Sequence, residues 1–249
     1  MPAPVYLLIG ATGGIGEPLT EHLAETGATL ILGARDADKL GALSQKTGAQ
    51  AFTLDATDAD AVTGLVDATV QAHGRLDGVV NLVGSIVLKP AHATSPEEFE
   101  ETLRINLHSA FWVVRAAAKA MQKNKEPDGG SIVLMSSVAG RYGLANHEAV
   151  AAAKGGIEGL VRSAAATYAP KGVRVNAVAP GLVRTPLAGR LVASEQAVEA
   201  SAKLHPLGRI GEPEDLTDAI AFLLDGSKSA WVTGQTLSVD GGFATVRPR

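Results

Sequence analysis

The sequence predicts an α/β fold: a doubly wound parallel sheet of about seven strands with helices on both faces. Short β-branched or Leu-rich runs recur at Val5–Ile9, Thr29–Leu32, Ala51–Leu54, Gly78–Asn81, Ile132–Met135, Arg174–Val178 and Thr236–Val239, separated by longer segments of helical character. The runs are apolar on both faces instead of alternating, the pattern of parallel strands covered on both sides. No Pro/Gly/Ser linker, low-complexity run or internal repeat divides the 249 residues, so one domain spanning 1–249 is expected.

Composition narrows the function classes. Hydrophobic residues make up 46% of the chain, enough for a sizeable core. A net charge of -4 without a run of Lys or Arg leaves no electrostatic footprint for nucleic acid or an anionic membrane, and neither partner is expected. With no cysteine there is no disulfide, no thiolate metal site and no thiol nucleophile, and no metal is called for. The start, MPAPVYLLIGATGG, lacks a basic region and a cleavage site and runs straight into a Gly-rich turn, so it reads as a first strand. No stretch approaches the roughly 20 apolar residues of a membrane span. A soluble, cytoplasmic protein is expected.

Each element in turn carries part of a nucleotide argument. Strand Val5–Ile9 runs into GATGGIG, Gly10 to Gly16, and a helix starting near Ile15. Glycines at such a turn let backbone approach a pyrophosphate and leave N–H groups at a helix N-terminus, where the dipole favours anions; Gly10, Thr12, Gly14, Ile15 and Gly16 are the candidate contacts. The second strand ends in Ala34, where a carboxylate would suit a free ribose 2'-hydroxyl, followed by Arg35, a fixed cation suited to a 2'-phosphate. NADP is therefore expected over NAD, against the alternative of a solvated Arg35 near Asp36 and Asp38. Asp55, after the third strand, is placed to meet the adenine amino group or simply to cap its loop. The polar, Ala-rich stretch from Pro186 to Pro213 fits no strand or helix of the core, and its place after a Pro-Gly turn suggests a mobile substrate lid.

Taken in order, the GATGGIG turn, the NLVG of Asn81–Gly84, Asn106 in RINLHSAF, the Ser136–Ser137 pair, Lys154, the PGLVRT of Pro180–Thr185 and VTGQTLSVDGG resemble the short-chain dehydrogenase/reductase family in its compact single-domain form, from Val5 to about Gly242. The resemblance implies a Rossmann fold, with Asn81 and Gly84 on the adenosine-ribose side. It implies that Pro180, Gly181, Val183 and Thr185 hold the nicotinamide half, and that Asn106, Ser137 and Lys154 belong to the catalytic group. Physical reasons accompany each. Ser137 follows a parallel strand at the edge where open α/β sheets bind ligands, and its hydroxyl can meet a carbonyl oxygen or merely cap a turn. Lys154, among small residues in a helix beginning near Asn146, is an odd charge to bury unless it meets ribose hydroxyls or snorkels to solvent. Asn106 is a poor mid-helix residue and suggests a kink or a bound water, or is simply a polar residue at a helix junction.

The chain departs from the family at one position. The pattern is Tyr-x-x-x-Lys, and the residue one helical turn before Lys154 is Val150. Loss of a positioned general acid costs roughly 10²–10⁴ in rate, while cofactor binding can survive. Three substitutes offer themselves: His147, an imidazole one turn earlier; Tyr142, the nearest phenol, in the loop GRYGLAN; and Lys154 itself or an ordered water, its ammonium acidified by an oxidised nicotinamide. His147 is slightly favoured.

The expected function is an NADP(H)-dependent oxidoreductase acting on a small carbonyl or alcohol, with an unusual or missing proton donor. The alternative is a catalytically silent NADP(H)-binding scaffold or sensor. Leu187, Leu191, Val192 and Leu204 of the lid predict a partly apolar pocket. Gly155, Gly156 and Gly159 in the helix from about His147 to Tyr168 suit close helix–helix packing, and the resemblance implies a homo-oligomer, dimer or tetramer.

Overall fold

A computed structural model describes residues 3–125, 129–189 and 191–246. Seven parallel strands form one sheet in the order β3-β2-β1-β4-β5-β6-β7. They are β1 (Val5–Ile9), β2 (Thr29–Ala34), β3 (Gln50–Thr53), β4 (Gly78–Asn81), β5 (Gly130–Met135), β6 (Val173–Pro180) and β7 (Thr236–Val239). The α-helices among the described residues are α1 (Gly16–Glu25), α2 (Ala37–Thr47), α3 (Ala59–His73), α4 (Pro96–Leu103), α5 (Ser109–Met121), α6 (Glu148–Tyr168), α7 (Glu195–Ala202), α8 (Pro213–Leu224) and α9 (Gly226–Ser229).

The continuous apolar strands follow from two-sided burial. Leu7 and Leu8, adjacent on β1 and fully buried, belong to opposite cores. One core joins β1, β4, β5 and β6 to α3, α5 and α6; the other joins the reverse faces to α1, α2 and α8. Each such leucine stabilises the fold by about 1.5–3 kcal/mol relative to exposure.

Local signals set the helix ends. Asp36 and Asp58 cap α2 and α3 through their carboxylates, and Gly48 and Gly74 end them in the left-handed conformation. Ser95 and Glu98 form a capping box on α4. The first helix begins at Gly16, one residue past the expected start, because Ile15 is its cap. α6 begins at Glu148, close to the expected start near Asn146, and Asn146 itself adopts a left-handed conformation (φ 63°) that turns the chain into the helix.

Three expectations are refined. Asn106 lies in a π-helical turn, Arg104–His108, linking α4 to α5, which is how the chain accommodates the expected irregularity. The segment 186–213 is ordered secondary structure in part: a 3-10 turn at Pro186–Ala188 and then α7, capped by Ser194. Arg190 lies outside the described residues. Of the α6 glycines, Gly156 packs tightly within the chain, since a side chain there would begin 2.9 Å from Leu107; one at Gly155 would stand at ordinary contact distance, 3.6 Å from Gly140 O, and one at Gly159 would meet nothing within 4 Å. Packing within the chain thus accounts for one of the three. No helix among the described residues is long and apolar enough to cross a membrane.

Candidate active site

Because every strand is parallel, the turns that follow β1, β2, β3, β4, β5 and β6 all open at one sheet edge. The chain leaves β1 toward β2 on one side and later returns to β4 on the other, which puts a crevice between the ends of β1 and β4. Gly10 stands at that crevice with φ 85°, donating its N–H to Gly33 O at 2.7 Å; a side chain there would begin 3.1 Å from Leu82 and Val83. Gly16 is equally constrained, since a Cβ would lie 2.5 Å from Gly10 O. At Gly14 a Cβ would meet Pro186 Cδ and Thr185 Cβ, both at 2.8 Å. The Gly-rich turn, expected to meet a pyrophosphate, therefore touches the Pro180–Thr185 segment, expected to meet the nicotinamide half. Thr12 and Ile15 lie half-buried in the same turn.

Arg35 is exposed beyond β2 and makes no hydrogen bond or ion pair with another described residue. Asp36, its neighbour, instead caps α2 by accepting from Lys39 N–H at 3.0 Å. Asp55 accepts from the Thr57 N–H (2.9 Å) and hydroxyl (2.8 Å), so it does cap its loop, and these bonds hold its carboxyl below the usual range.

After β4, buried Asn81 donates to Ser109 Oγ (3.1 Å) and accepts from Val83 N–H (3.2 Å), fixing the bend that leads to Gly84. The π turn aims Asn106 at this bend. Its Oδ1 accepts from Ser85 N–H at 3.2 Å, and its Nδ2 donates to Ser85 Oγ at 2.9 Å and Thr102 O at 3.0 Å. Gly84 lies between two functional groups: a side chain there would begin 3.1 Å from Asn106 Oδ1 and 3.4 Å from Lys154 Nζ.

Lys154 is 7% exposed and does not snorkel to solvent; its ammonium donates to Met135 O at 2.8 Å. Burial pulls its pKa down from 10.5 to about 8, and among the described residues no carboxylate pairs with it to oppose the shift. Val150, one turn earlier, is buried. Ser137 caps a 3-10 turn, Val138–Gly140, accepting from Ala139 N–H at 3.2 Å, and remains half-buried at the sheet edge. That turn packs directly on α6: a Cβ on Gly140 would lie 2.9 Å from the Lys154 backbone. The capping role of Ser137 is compatible with an outward-facing hydroxyl proton.

The substitutes for the phenol separate. His147 is the residue capping α6, half-buried, with Nδ1 bonded locally to Ala145 O at 2.8 Å. Tyr142 packs edge-on against Phe243, ring centroids 5.5 Å apart, which holds it toward the C-terminal turn.

The Pro180–Thr185 segment forms a clamp. Val183 bridges to Gly211, Arg184 N–H donates to Gly211 O (2.9 Å), and Gly211 N–H donates to Leu182 O (2.8 Å), so the two ends of the expected lid are joined at its base. Thr185 Oγ1 accepts from Ala188 N–H and starts the 3-10 turn Pro186–Ala188. Within 186–213, Leu187 and Leu204 are exposed, whereas Leu191 and Val192 are half-buried.

Sequence reasoning missed a polar group behind the site. Ser136 donates to Glu158 Oε1 (3.0 Å), and Arg141 joins Glu158 (3.1 Å) to Ser238 Oγ (3.1 Å) and Thr236 O (3.2 Å) on β7. The available signal was Glu158 one turn past Lys154 on an otherwise apolar face. His205 was missed as well, for one of its two partners, Leu182, is not adjacent to it in sequence.

A sequence-family model described as enoyl-(acyl carrier protein) reductase matches residues 10–244. The chain is 35% identical over 244 residues to a 3-oxoacyl-(acyl-carrier-protein) reductase of Thermotoga maritima, covering 96% of this chain and 97% of that one. It is 37% identical over 247 residues to a cis-4-hydroxycyclohexanecarboxylate dehydrogenase of Sinomonas cyclohexanicum, with 97% of each chain covered. Among solved structures, a short-chain type dehydrogenase/reductase from Mycobacterium ulcerans superposes with a TM-score of 0.91 at 32% identity, covering 98% of this chain and 90% of that one. ElxO with NADP bound superposes with a TM-score of 0.90 at 27% identity over 98% and 100% of the two chains.

Proposed function

The chain belongs to the short-chain dehydrogenase/reductase family, and on that premise we propose that it is an NADP(H)-dependent oxidoreductase acting on a small carbonyl or alcohol with an unusual proton donor. The observation that carries the reading is the buried ammonium of Lys154 beside Gly84 and Asn106 at the carboxyl edge of the sheet. A charge kept there at the cost of its hydration needs a polar ligand, and ribose hydroxyls are one.

The residues present suit a dinucleotide. Gly10, Thr12, Gly14, Ile15 and Gly16 form a tight turn next to the N-terminus of α1, in which a Cβ at Gly10, Gly14 or Gly16 would collide with the protein's own neighbouring atoms, and the N–H groups of such a turn suit a pyrophosphate. Arg35, exposed and unengaged, would receive a 2'-phosphate; Asp55 would face adenine; Asn81 and Gly84 would line the adenosine ribose. Pro180, Gly181, Val183 and Thr185 would hold the nicotinamide half. When bound, the cofactor supplies or accepts hydride. The chain's own residues orient the carbonyl through the Ser137 hydroxyl and handle the proton. His147 would deliver it from the start of α6. Lys154 is the second donor, favoured by a pKa near 8, close to the working range of a general acid. NADP appears in the name of the ElxO structure, and a Tyr-to-Phe variant of that protein is described with NADPH bound. A cytoplasmic homo-oligomer is part of this reading.

The test is NADPH oxidation by the native protein across a carbonyl panel, with Val150→Tyr and His147→Ala beside it. Turnover by native protein comparable to Val150→Tyr, and lost in His147→Ala, is the expected result. Turnover retained in His147→Ala moves the proton to Lys154. Turnover by Val150→Tyr alone replaces this reading with the second one, a silent NADP(H)-binding scaffold, which the buried hydrocarbon at position 150 favours.

A further inference from the structure

His205 is a buried imidazole, 4% exposed, that lies outside the group described above yet touches the same clamp. Both ring nitrogens are engaged. Nδ1 lies 2.8 Å from Ser201 O in α7, and Nε2 lies 3.2 Å from the backbone N–H of Leu182. A carbonyl oxygen can only accept and an amide N–H can only donate, so Nδ1 carries the hydrogen and Nε2 offers its lone pair. The two partners thus fix one neutral tautomer.

The surroundings hold the ring in place. Phe243 packs against it with centroids 5.2 Å apart, and Phe243 in turn meets Tyr142. Gly181 leaves the room it needs, since a Cβ there would lie 2.7 Å from Nε2 and 3.1 Å from the Asp240 backbone. Asp240 itself is committed to the N–H groups of Gly242 (2.9 Å) and Ala244 (3.0 Å). A small cavity of about 130 Å³ borders the ring, walled by Gly181, Leu182, Arg209 and Asp215 among others, and Arg209 and Asp215 are paired with each other.

One end of this imidazole holds the last turn of the lid helix, and the other holds the turn after β6. We propose that His205 is a positioning residue, whose Nδ1–H tautomer sets the Gly181–Leu182 turn from the lid helix α7 and so aligns the nicotinamide half of the bound cofactor. The inference rests on the assignment of Pro180–Thr185 to that half. It gives the otherwise bare lid a defined role: α7 and the turn move together, because a single ring joins them. Without the Nε2 lone pair the Leu182 N–H loses its partner, and the turn loses the restraint that its glycine was shaped to admit.

Two near-isosteric variants separate the two bonds. His205→Gln places an amide oxygen near Nε2 and keeps the acceptor for Leu182, whereas His205→Asn places an amide group near Nδ1 and keeps only the donor to Ser201. The binding of NADPH is measured by nicotinamide fluorescence, and the binding of adenosine 2',5'-bisphosphate, which lacks the nicotinamide half, by calorimetry. The expected result is NADPH binding weakened roughly tenfold in His205→Asn, as for one lost buried hydrogen bond. NADPH binding in His205→Gln stays within about threefold of native by the same reasoning, and the bisphosphate binds all three proteins alike. Nitrogen-15 spectra of the native imidazole should show a protonated Nδ1 and a bare Nε2 whether or not cofactor is present. Equal NADPH affinity in all variants, equal losses for Gln and Asn, parallel losses for the bisphosphate, or the opposite tautomer each overturns the proposal. Native protein that binds the bisphosphate but gains nothing from the nicotinamide half overturns it too, and native protein that binds neither ligand removes the cofactor reading itself.

Discussion

Replacing Lys154 with Met should stabilise the protein while weakening its hold on the cofactor. Lys154 is 7% exposed, and burial lowers its pKa from 10.5 to about 8. That drop corresponds to roughly 3 kcal/mol of unfavourable burial of the charged form. The direction follows from proton counting. Between about pH 8 and 10.5 the unfolded chain keeps the proton on this amine and the folded chain does not, so stability contributed by this group rises with pH across that window. Below about pH 8 both states are protonated and the full penalty is present. Met is close in length, carries no charge, and gives up the bond to Met135 O, which returns about 1 kcal/mol of the gain. The net expectation is about 2 kcal/mol of added stability at pH 7, a rise in Tm of roughly 4–8 °C for a domain of this size, shrinking toward zero or reversing by pH 10.5. Thermal unfolding of both proteins from pH 6.5 to 10.5, without ligand, reads this directly. NADPH, added in a second series, should raise the native Tm more than the variant's. A variant no more stable than native at pH 7, with a difference that does not change with pH, would refute the desolvated ammonium.

Two other outcomes follow from named contacts. Arg35→Ala removes the only charged side chain assigned to the 2'-phosphate; the KM for NADPH should rise roughly 10–100-fold, the worth of a charge-assisted hydrogen bond, while that for NADH changes little. Equal effects on both coenzymes would leave Arg35 as a surface residue. Gly14→Ala pushes a methyl group to 2.8 Å from Thr185 Cβ and Pro186 Cδ, atoms close to backbone that cannot swing aside. NADPH binding should weaken about tenfold or more, because the Gly10–Gly16 turn and the Thr185–Pro186 segment are forced apart. Gly13→Ala, where a Cβ meets only Gly10 O at 3.2 Å, is the control and should bind more nearly as native does.

What the sequence made legible was the part governed by local pattern. Leu7 and Leu8 face opposite cores, and that two-sided burial is visible as an unbroken apolar run. The Gly-rich turn and the helix after it are adjacent in sequence, so the strand, turn and helix order could be read there. The burial of Lys154 could be read from its small neighbours, although the partner found, Met135 O, belongs to a strand that the pattern alone does not bring to it. Contacts between distant segments were not legible. His205 meets Ser201 locally, one helical turn away, but it meets Leu182 across 23 positions, where the backbone bonds of Gly211 hold the 186–213 segment against the turn after β6. α7 itself was hidden in a polar, Ala-rich stretch whose exposed helix needs little apolar patterning. The glycines of α6 suggested a subunit interface, yet Gly156 makes room for Leu107 of the π turn, an irregularity with no sequence signature beyond Asn106.

Val150 alters more than the supply of a proton. In a site with a phenol one turn before the lysine, each group acidifies or charges the other: a phenolate would hold the ammonium's pKa up, and the ammonium would pull the phenol's down. Here desolvation stands alone, and the ammonium is left at about 8. The hydrocarbon therefore removes one acid and makes a weaker one stronger. By the same reasoning Val150→Tyr does not simply add a donor to an unchanged site; it should raise the pKa of Lys154 and move the pH window in which native stability changes to higher pH. If the variant gains turnover while that window stays at about 8, the new phenol is working without the lysine, and the two residues do not form a coupled pair in this protein.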